Sequence, residues 1–280
     1  MSKVILITGC STGIGYDTVF ALKKRGHRVI ASCRKTDDLQ KLIQQGVEAV
    51  LLDVSDTQSI EAAFNQVLTM TEGHLDVLIN NAGYGQAGAL EDVSRDLMRK
   101  QFETNVFGLL ELSNLAIPIM RKQGQGRIIN VSSILGVISM PFRGAYNASK
   151  YAVEGLSDTL RLELSSSGIH VVTIEPGPIE SKFRDTAVDG TLTAIDINKS
   201  YFNKQYQSML TDYKQKKSDS FFTKKTDAVI NCFIHAIESK KPKAKYPVTT
   251  PAHLLIFLKR ILSTRMLDRF FLVASKKELS

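Results

Sequence analysis

The sequence predicts an α/β fold, a doubly wound parallel sheet in one domain over residues 1–280. Three observations carry this. Short apolar runs alternate with amphipathic segments at helical spacing along most of the chain. The first run, Val4-Ile5-Leu6-Ile7, is unbroken, as a strand covered on both faces requires. The polar and glycine-rich motifs fall just past the ends of the runs, where ligands sit in sheets of this kind.

Taken in order, Val4–Ile7 is the first strand. Thr8-Gly9-Cys10-Ser11-Thr12-Gly13-Ile14-Gly15 is a glycine turn opening a helix through Leu22, which Gly26 stops. Residues 28–33 form the second strand. A strand, glycine turn and helix aim backbone N–H groups and a helix N-terminus at a phosphate. Gly9, Ser11, Thr12, Gly13, Ile14 and Gly15 are therefore candidate contacts to a dinucleotide. No Lys-Ser or Lys-Thr follows Gly15, which excludes a Walker A loop. A helix over 37–45 and a strand over 47–52 lead to Asp53-Val54, and a helix over 57–70 follows. The strand at 75–79 ends in Asn80-Asn81-Ala82-Gly83, and one long helix is expected over 98–121. The strand at 127–131 ends at Ser132-Ser133, a helix covers 146–165, and the strand at 169–174 ends at Glu175-Pro176-Gly177-Pro178. Residues 184–225 break the rhythm, being polar with Phe202, Tyr206, Met209 and Leu210 at helical spacing. They read as a surface helical hairpin or as a substrate lid. The lid is favoured because the stretch leaves directly from an expected ligand loop. A helix over 226–238 and a short strand over 245–248 complete the domain.

The chemistry concentrates between residues 130 and 150. Tyr146 and Lys150 are four apart and share one helix face. An ammonium beside a phenol favours the phenolate and is expected to lower the tyrosine pKa toward neutrality, making it a usable proton donor. Ser133, at the preceding strand end, can offer its hydroxyl to a substrate oxygen. Spacing alone is weak, since Tyr213 and Lys217 repeat it in a polar stretch with no strand before it. The first pair gains weight from Ser133 and from the strand-then-helix context.

Charge is uneven. Residues 240–280 hold ten lysines and arginines against two acids, while residues 1–239 carry 26 of each. A neutral body argues against nucleic-acid binding across the domain. Cys10, Cys33 and Cys232 are scattered, and the five histidines show no metal-ligand spacing, so neither a disulfide frame nor a metal is expected. A strand beginning at Lys3 leaves no room for a signal peptide, and a cytoplasmic location is expected.

The series Thr8-Gly9-x-x-x-Gly13-Ile14-Gly15, Asn80-Asn81-Ala82-Gly83, Asn105, Ser133, Tyr146-x-x-x-Lys150 and Pro176-Gly177 resembles the classical short-chain dehydrogenase/reductase family, a Rossmann fold, over about residues 3–182. Within it the chain is similar to the 17β-hydroxysteroid and retinol dehydrogenase-like branch. It is most similar there to bacterial NADP-dependent oxidoreductases, which share Cys33-Arg34-Lys35 and Tyr246-Pro247-Val248-Thr249. The resemblance implies a homodimer or homotetramer that interconverts a carbonyl and an alcohol. Tyr146 would be the acid or base. Lys150 would bind the nicotinamide ribose and depress the Tyr146 pKa, Ser133 would polarise the substrate oxygen, and Asn105 would hold a water leading from Lys150 to solvent. Asp53 and Val54 would meet the adenine, Asn81, Ala82 and Gly83 the ribose side, and Pro176, Gly177, Ile179 and Ser181 the nicotinamide. Ser181 stands where the family usually has threonine. NAD-specific members carry an acid at the end of the second strand. Here Cys33 is neutral and Arg34 and Lys35 follow, which implies NADP(H). Tyr84, Leu135, Phe142 and Phe183 are candidate pocket residues for an apolar aldehyde, ketone or alcohol. A catalytically silent dinucleotide sensor on the same fold is the alternative, though it need not keep Asn105, Ser133, Tyr146 and Lys150 together.

Residues 249–280 form a basic amphipathic extension in which Lys259, Arg260, Arg265, Asp268 and Arg269 interrupt an apolar series. Those charges exclude a spanning helix. Pro251 marks a helix start, and Ser263-Thr264 divides the segment into two short helices. Either these pack on the domain or a second subunit, or they lie on an anionic membrane surface.

Overall fold

Parallel strands with helices on both faces fill the computed structural model, which describes residues 2–180, 194–214 and 223–276, with Phe183, Thr186, Ala187 and Gly190 between them. The strands are β1 (Val4–Ile7), β2 (Arg28–Cys33), β3 (Glu48–Leu51), β4 (Val77–Asn80), β5 (Gly126–Val131), β6 (Ile169–Glu175) and β7 (Lys245–Pro247). They lie in the order β3-β2-β1-β4-β5-β6-β7, every pairing parallel. The direction of winding reverses between β1 and β4, where Ile7 pairs with Ile79. The crevice for a ligand opens there.

Side-chain alternation along the strands builds two cores. Ile5, Ile7, Val29, Ala31, Val77 and Ile79 face one way. They meet α1 (Gly13–Lys24), α2 (Thr36–Gln44) and α8 (Asp227–Glu238), whose Phe233 is fully buried. Leu6, Ile30, Leu78, Ile128 and Val171 face the other way. They pack on α3 (Thr57–Met70), α5 (Gly108–Gln123) and α6 (Gly144–Glu163). On this second face a polar network is sealed in. Asn80 Nδ2 donates to Ser113 Oγ at 3.0 Å and Asn130 Oδ1 at 2.9 Å, and Asn130 Nδ2 donates to Ser157 Oγ at 2.9 Å. Asn80 and Asn130 are register partners on β4 and β5. The network therefore pins both strand ends to the helices that carry the site.

The long helix expected over 98–121 is interrupted. The structure has α4 (Arg95–Phe102), a π-turn over Glu103–Phe107, then α5. The π-turn lets the chain pass Val54, whose carbonyl lies 1.8 Å from where a Cβ on Gly108 would sit. The polar excursion after β6 returns beside its own start. Glu180 N–H donates to the Lys224 carbonyl at 2.9 Å, and Lys224 N–H to the Pro178 carbonyl at 3.1 Å. Within it, α7 (Asn203–Lys214) joins Ile195, Phe202 and Tyr206 to Ala89 and Phe142 in a satellite cluster. The tail forms α9 (Thr250–Ile261), capped by Thr249 with Pro251 in its first turn, and α10 (Thr264–Ala274), capped by Ser263. Among the described residues no helix is long and apolar enough to cross a membrane.

Candidate active site

The glycine turn after β1 is clamped to the loop after β4. Thr8 Oγ1 accepts from the N–H groups of Asn81 at 3.0 Å and Ala82 at 2.9 Å. Asn81 Nδ2 donates to the Thr8 and Gly9 carbonyls at 2.9 and 3.1 Å. The fit leaves no room for side chains. A Cβ on Gly9 would lie 2.8 Å from Ala82 Cα, and one on Gly15 2.4 Å from the Gly9 carbonyl oxygen. Gly9 and Gly13 also have φ near +71° and +63°, which glycine adopts without penalty. Ser11 and Thr12 are exposed ahead of α1.

These features form a cradle open to a dinucleotide, with backbone donors at the start of α1. Asp53 Oδ1 is held by the Ser55 N–H and hydroxyl at 3.0 and 2.6 Å, and Val54 is buried beneath α5. At the far edge, Cys33 is a buried thiol whose pKa burial pushes up to about 11, so it is uncharged. Arg34 and Lys35 are exposed, and no ion-pair partner holds either among the described residues. The residues present therefore fit a dinucleotide cofactor.

β5 delivers Ser133, and α6 presents Tyr146 and Lys150. The Ser133 hydroxyl stands close enough to that of Tyr146 to act on its pKa, and Ser133 Oγ accepts from Leu135 N–H at 3.1 Å and donates to the Pro176 carbonyl at 3.5 Å. Lys150 is 5% exposed and donates from Nζ to the Val131 carbonyl at 2.7 Å. Its Nζ lies 5.7 Å from the centre of the Tyr146 ring. The expected lowering of the Tyr146 pKa is not what this arrangement produces. Burial of the phenol pushes its pKa up to about 12, and the Ser133 hydroxyl only partly opposes it. Burial lowers Lys150 to about 8, with the Glu154 carboxylate pulling upward. Desolvation outweighs the ammonium–phenol attraction because the ammonium is spent on a carbonyl and stands off the ring.

Asn105 sits in the π-turn, 1% exposed. Its Oδ1 accepts from Tyr84 N–H at 3.0 Å, while Nδ2 donates to the Tyr84 carbonyl at 3.0 Å and Ser149 Oγ at 3.1 Å. Gly83 lies between Asn105 and Lys150, for a Cβ there would meet Asn105 Oδ1 at 3.1 Å and Lys150 Nζ at 3.8 Å. Sequence reasoning missed Gln101, fully buried one turn earlier. Its side chain accepts from Gln86 N–H and donates to the Tyr84 carbonyl, both at 2.7 Å. The signal was present: two carboxamides four apart on a helix, facing inward. Thr249 was also missed. It caps α9 and presses on Gly177, where a Cβ would come within 2.0 Å of Thr249 Oγ1.

The four pocket candidates separate. Phe183 lies against Tyr146 with ring centres 5.4 Å apart. Tyr84 is half-buried beside Asn105, and burial raises its pKa. Leu135 adjoins Ser133 but packs on the tail residues Leu255, Ile256 and Phe271. Phe142 is a packing residue. It is 5% exposed and edge-on to Phe202 and Tyr206 at 5.4 and 5.8 Å. Those aromatic contacts hold its backbone at φ +56° and turn the side chain into the satellite cluster. Pro176 accepts from Ile134 N–H at 2.9 Å, bringing its loop beside Ser133, and Ile179 bridges to Lys224. Ser181 and Lys217 lie outside the described residues.

The comparisons with known proteins agree with this geometry. The family model described as short chain dehydrogenase matches residues 3–191. The uncharacterized oxidoreductase YbbO of Escherichia coli K12 is 40% identical over 269 residues, covering 96% of this chain and 94% of its own. A 3-ketodihydrosphingosine reductase of Bacteroides thetaiotaomicron is 37% identical over 217 residues, covering 77% and 78%. A Burkholderia cenocepacia short chain dehydrogenase solved with NADP shares the fold at TM-score 0.76 and 22% identity, covering 97% and 98%. A Brucella melitensis 3-ketoacyl-(acyl-carrier-protein) reductase solved with NADH does so at 0.71 and 23%, covering 88% and 96%. With the glycine cradle and the Ser133, Tyr146 and Lys150 cluster in hand, these matches establish that the chain belongs to the short-chain dehydrogenase/reductase family and is an oxidoreductase of that family.

Proposed function

We propose that the protein is an NADP(H)-dependent reductase or dehydrogenase that interconverts an apolar aldehyde or ketone and its alcohol. The observation that carries this reading is the hydroxyl pair of Ser133 and Tyr146, backed by buried Lys150. Gly9 to Gly15, Asp53, Val54, Asn81 to Gly83 and Pro176 to Ile179 would hold the cofactor, and its nicotinamide would supply or accept the hydride.

The chain's own part is proton handling and orientation. With its pKa near 12, Tyr146 keeps its proton at neutral pH and can donate it from Oη to a carbonyl oxygen held between Tyr146 and Ser133. Lys150, near 8, is still largely protonated there and can pass a proton toward the phenolate left behind. Asn105, locked by Tyr84 and Ser149, holds Gly83 and Tyr84 against Lys150. Arg34 offers a planar donor fork to a 2′-phosphate, and neutral Cys33 offers no carboxylate to a 2′-hydroxyl. Phe183 over the Tyr146 ring supports an apolar substrate, as does the lipid-like substrate named for the Bacteroides relative. A cytoplasmic homo-oligomer, with the 184–225 excursion as a substrate lid, belongs to the same reading.

The test is carbonyl-dependent NADPH oxidation by the pure protein over a panel of long-chain and small aldehydes and ketones, followed as loss of reduced-nicotinamide absorbance. Turnover with apolar carbonyls, weaker with short polar ones, is expected. No turnover with any carbonyl, despite NADPH binding, would favour a silent sensor.

A further inference from the structure

The C-terminal helix pair has two apolar faces, and among the described residues only one is packed against the protein. On α9, Ala252, Leu255 and Ile256 pack on Ile134, Leu135 and Ile138, joined by Phe271 from α10. Leu267 is also buried. The opposite face of α9 presents Leu254, Phe257 and Ile261 at i, i+3 and i+7, each more than half exposed at 52, 58 and 59%. On α10, Met266, Phe270 and Val273 repeat that row at i, i+4 and i+7, exposed at 53, 41 and 76%. Such rows on water-facing helices mark an interaction surface.

The charges beside the rows say what the partner is. Arg265 and Arg269 form a second row on α10, Lys276 follows just past its end, and Lys259 and Arg260 stand on α9, all exposed. Asp268 is the single carboxylate on either helix. A second copy docking through the same face would set these cations against their equivalents, because an isologous interface brings a patch onto itself. An anionic, apolar, planar partner satisfies both rows at once. Each helix is about 17 Å long by its rise per residue, too short for a hydrocarbon core of about 30 Å. An apolar row flanked by cations is the pattern of a helix lying in a headgroup layer.

We propose that α9 and α10 form a docking surface for an anionic lipid bilayer, lying in the plane of its interface. The surface is rigidly coupled to the site. Leu135, which packs under these helices, donates its N–H to Ser133 Oγ, and Thr249, the cap of α9, presses on Gly177. Docking would therefore hold the catalytic loops one packing layer from lipid, whatever the substrate proves to be.

Flotation of the full-length protein with vesicles tests this without any turnover, so its outcome is separate from that of the reaction proposed above. Vesicles containing about one-third phosphatidylglycerol should carry the protein up at low salt. Pure phosphatidylcholine vesicles should not, and about 1 M salt should weaken binding by shortening the screening length. R265E with R269E should reduce partitioning about tenfold or more, each surface cation contributing on the order of 1 kcal/mol near an anionic membrane. F257S with F270S should reduce it comparably. Failure to float with anionic vesicles at low salt overturns the proposal, as does flotation that both double variants leave unchanged. A shift of the variants from dimer to monomer with unchanged vesicle binding also overturns it and makes the face a contact between copies.

Discussion

Replacing Gly15 with alanine should unlock the clamp between the glycine turn and the Asn81 loop. The new methyl would sit 2.4 Å from the Gly9 carbonyl oxygen and 2.5 Å from Asn81 Nδ2, both well inside contact distance. The Gly9 oxygen is backbone, so relief comes chiefly from Asn81. Swinging its side chain away breaks the bonds to the Thr8 and Gly9 carbonyls. Two hydrogen bonds at about 1 kcal/mol each, with overpacking strain of about 1–3 kcal/mol, give a loss of roughly 3–5 kcal/mol. Part appears as lowered stability and part as weaker cofactor binding, because the displaced peptides line the cradle. Denaturant unfolding and a fluorescence titration with NADPH measure the two. The expected result is a loss of roughly 2–4 kcal/mol in stability and at least a tenfold rise in cofactor Kd. Gly26→Ala is the control. It has φ +84° but nothing within 4 Å of the added carbon, so it should cost about 1 kcal/mol and leave Kd alone. If Gly15→Ala kept wild-type stability and bound NADPH within twofold, close packing would not be the reason for glycine there.

Cofactor preference should move with the end of β2. Cys33→Asp with Arg34→Ala should shift the ratio of kcat/KM for NADPH over NADH toward NADH by about a hundredfold, the equivalent of about 3 kcal/mol; an unchanged ratio, or a wild-type enzyme as efficient with NADH, would refute the assignment. Glu175 gives a pH prediction. It is 1% exposed with one carboxylate oxygen unpartnered, and burial with the nearby Glu154 raises its pKa to about 7. The native state holds this proton while the unfolded chain, at about 4.5, has released it, so the group's contribution to stability falls as pH rises from about 4.5 to 7 and stays lost above. Glu175→Gln should match the parent near pH 4.5 and exceed it at pH 8 by on the order of 2 kcal/mol in urea unfolding; a parent as stable as the variant at pH 8 would contradict this.

Much of this was legible from the chain. β1, β2 and α3 fall at the residues the sequence indicates, since Val4–Ile7 and the run over 28–33 are apolar between clear punctuation at Gly9 and Gly26, and α3 has a capping aspartate, Asp56. Asn81, Ser133, Tyr146 and Lys150 converge because parallel strands place all their ends on one edge. The π-turn was hidden, because Glu103–Phe107 holds neither glycine nor proline and its cause, contact of Gly108 with Val54, is non-local. The place of Phe142 in the satellite cluster was not legible, because an apolar residue near a strand-end loop does not say which cluster will take it. The electrostatics at Tyr146 were misjudged because spacing fixes which face two residues share. It does not fix how deeply the phenol is buried, or that Val131 takes up the Lys150 ammonium.

The most direct test of the account is the turnover of Tyr146→Phe, compared with wild type under saturating carbonyl and NADPH, with cofactor Kd measured on the same samples. The account predicts a folded protein with Kd within about twofold and turnover reduced by about a thousandfold, a loss of roughly 4 kcal/mol of transition-state stabilisation, while Tyr213→Phe leaves the rate nearly unchanged. A Tyr146→Phe protein retaining more than about a tenth of the wild-type rate, a loss under about 1.4 kcal/mol, would contradict the role of Tyr146 as proton donor.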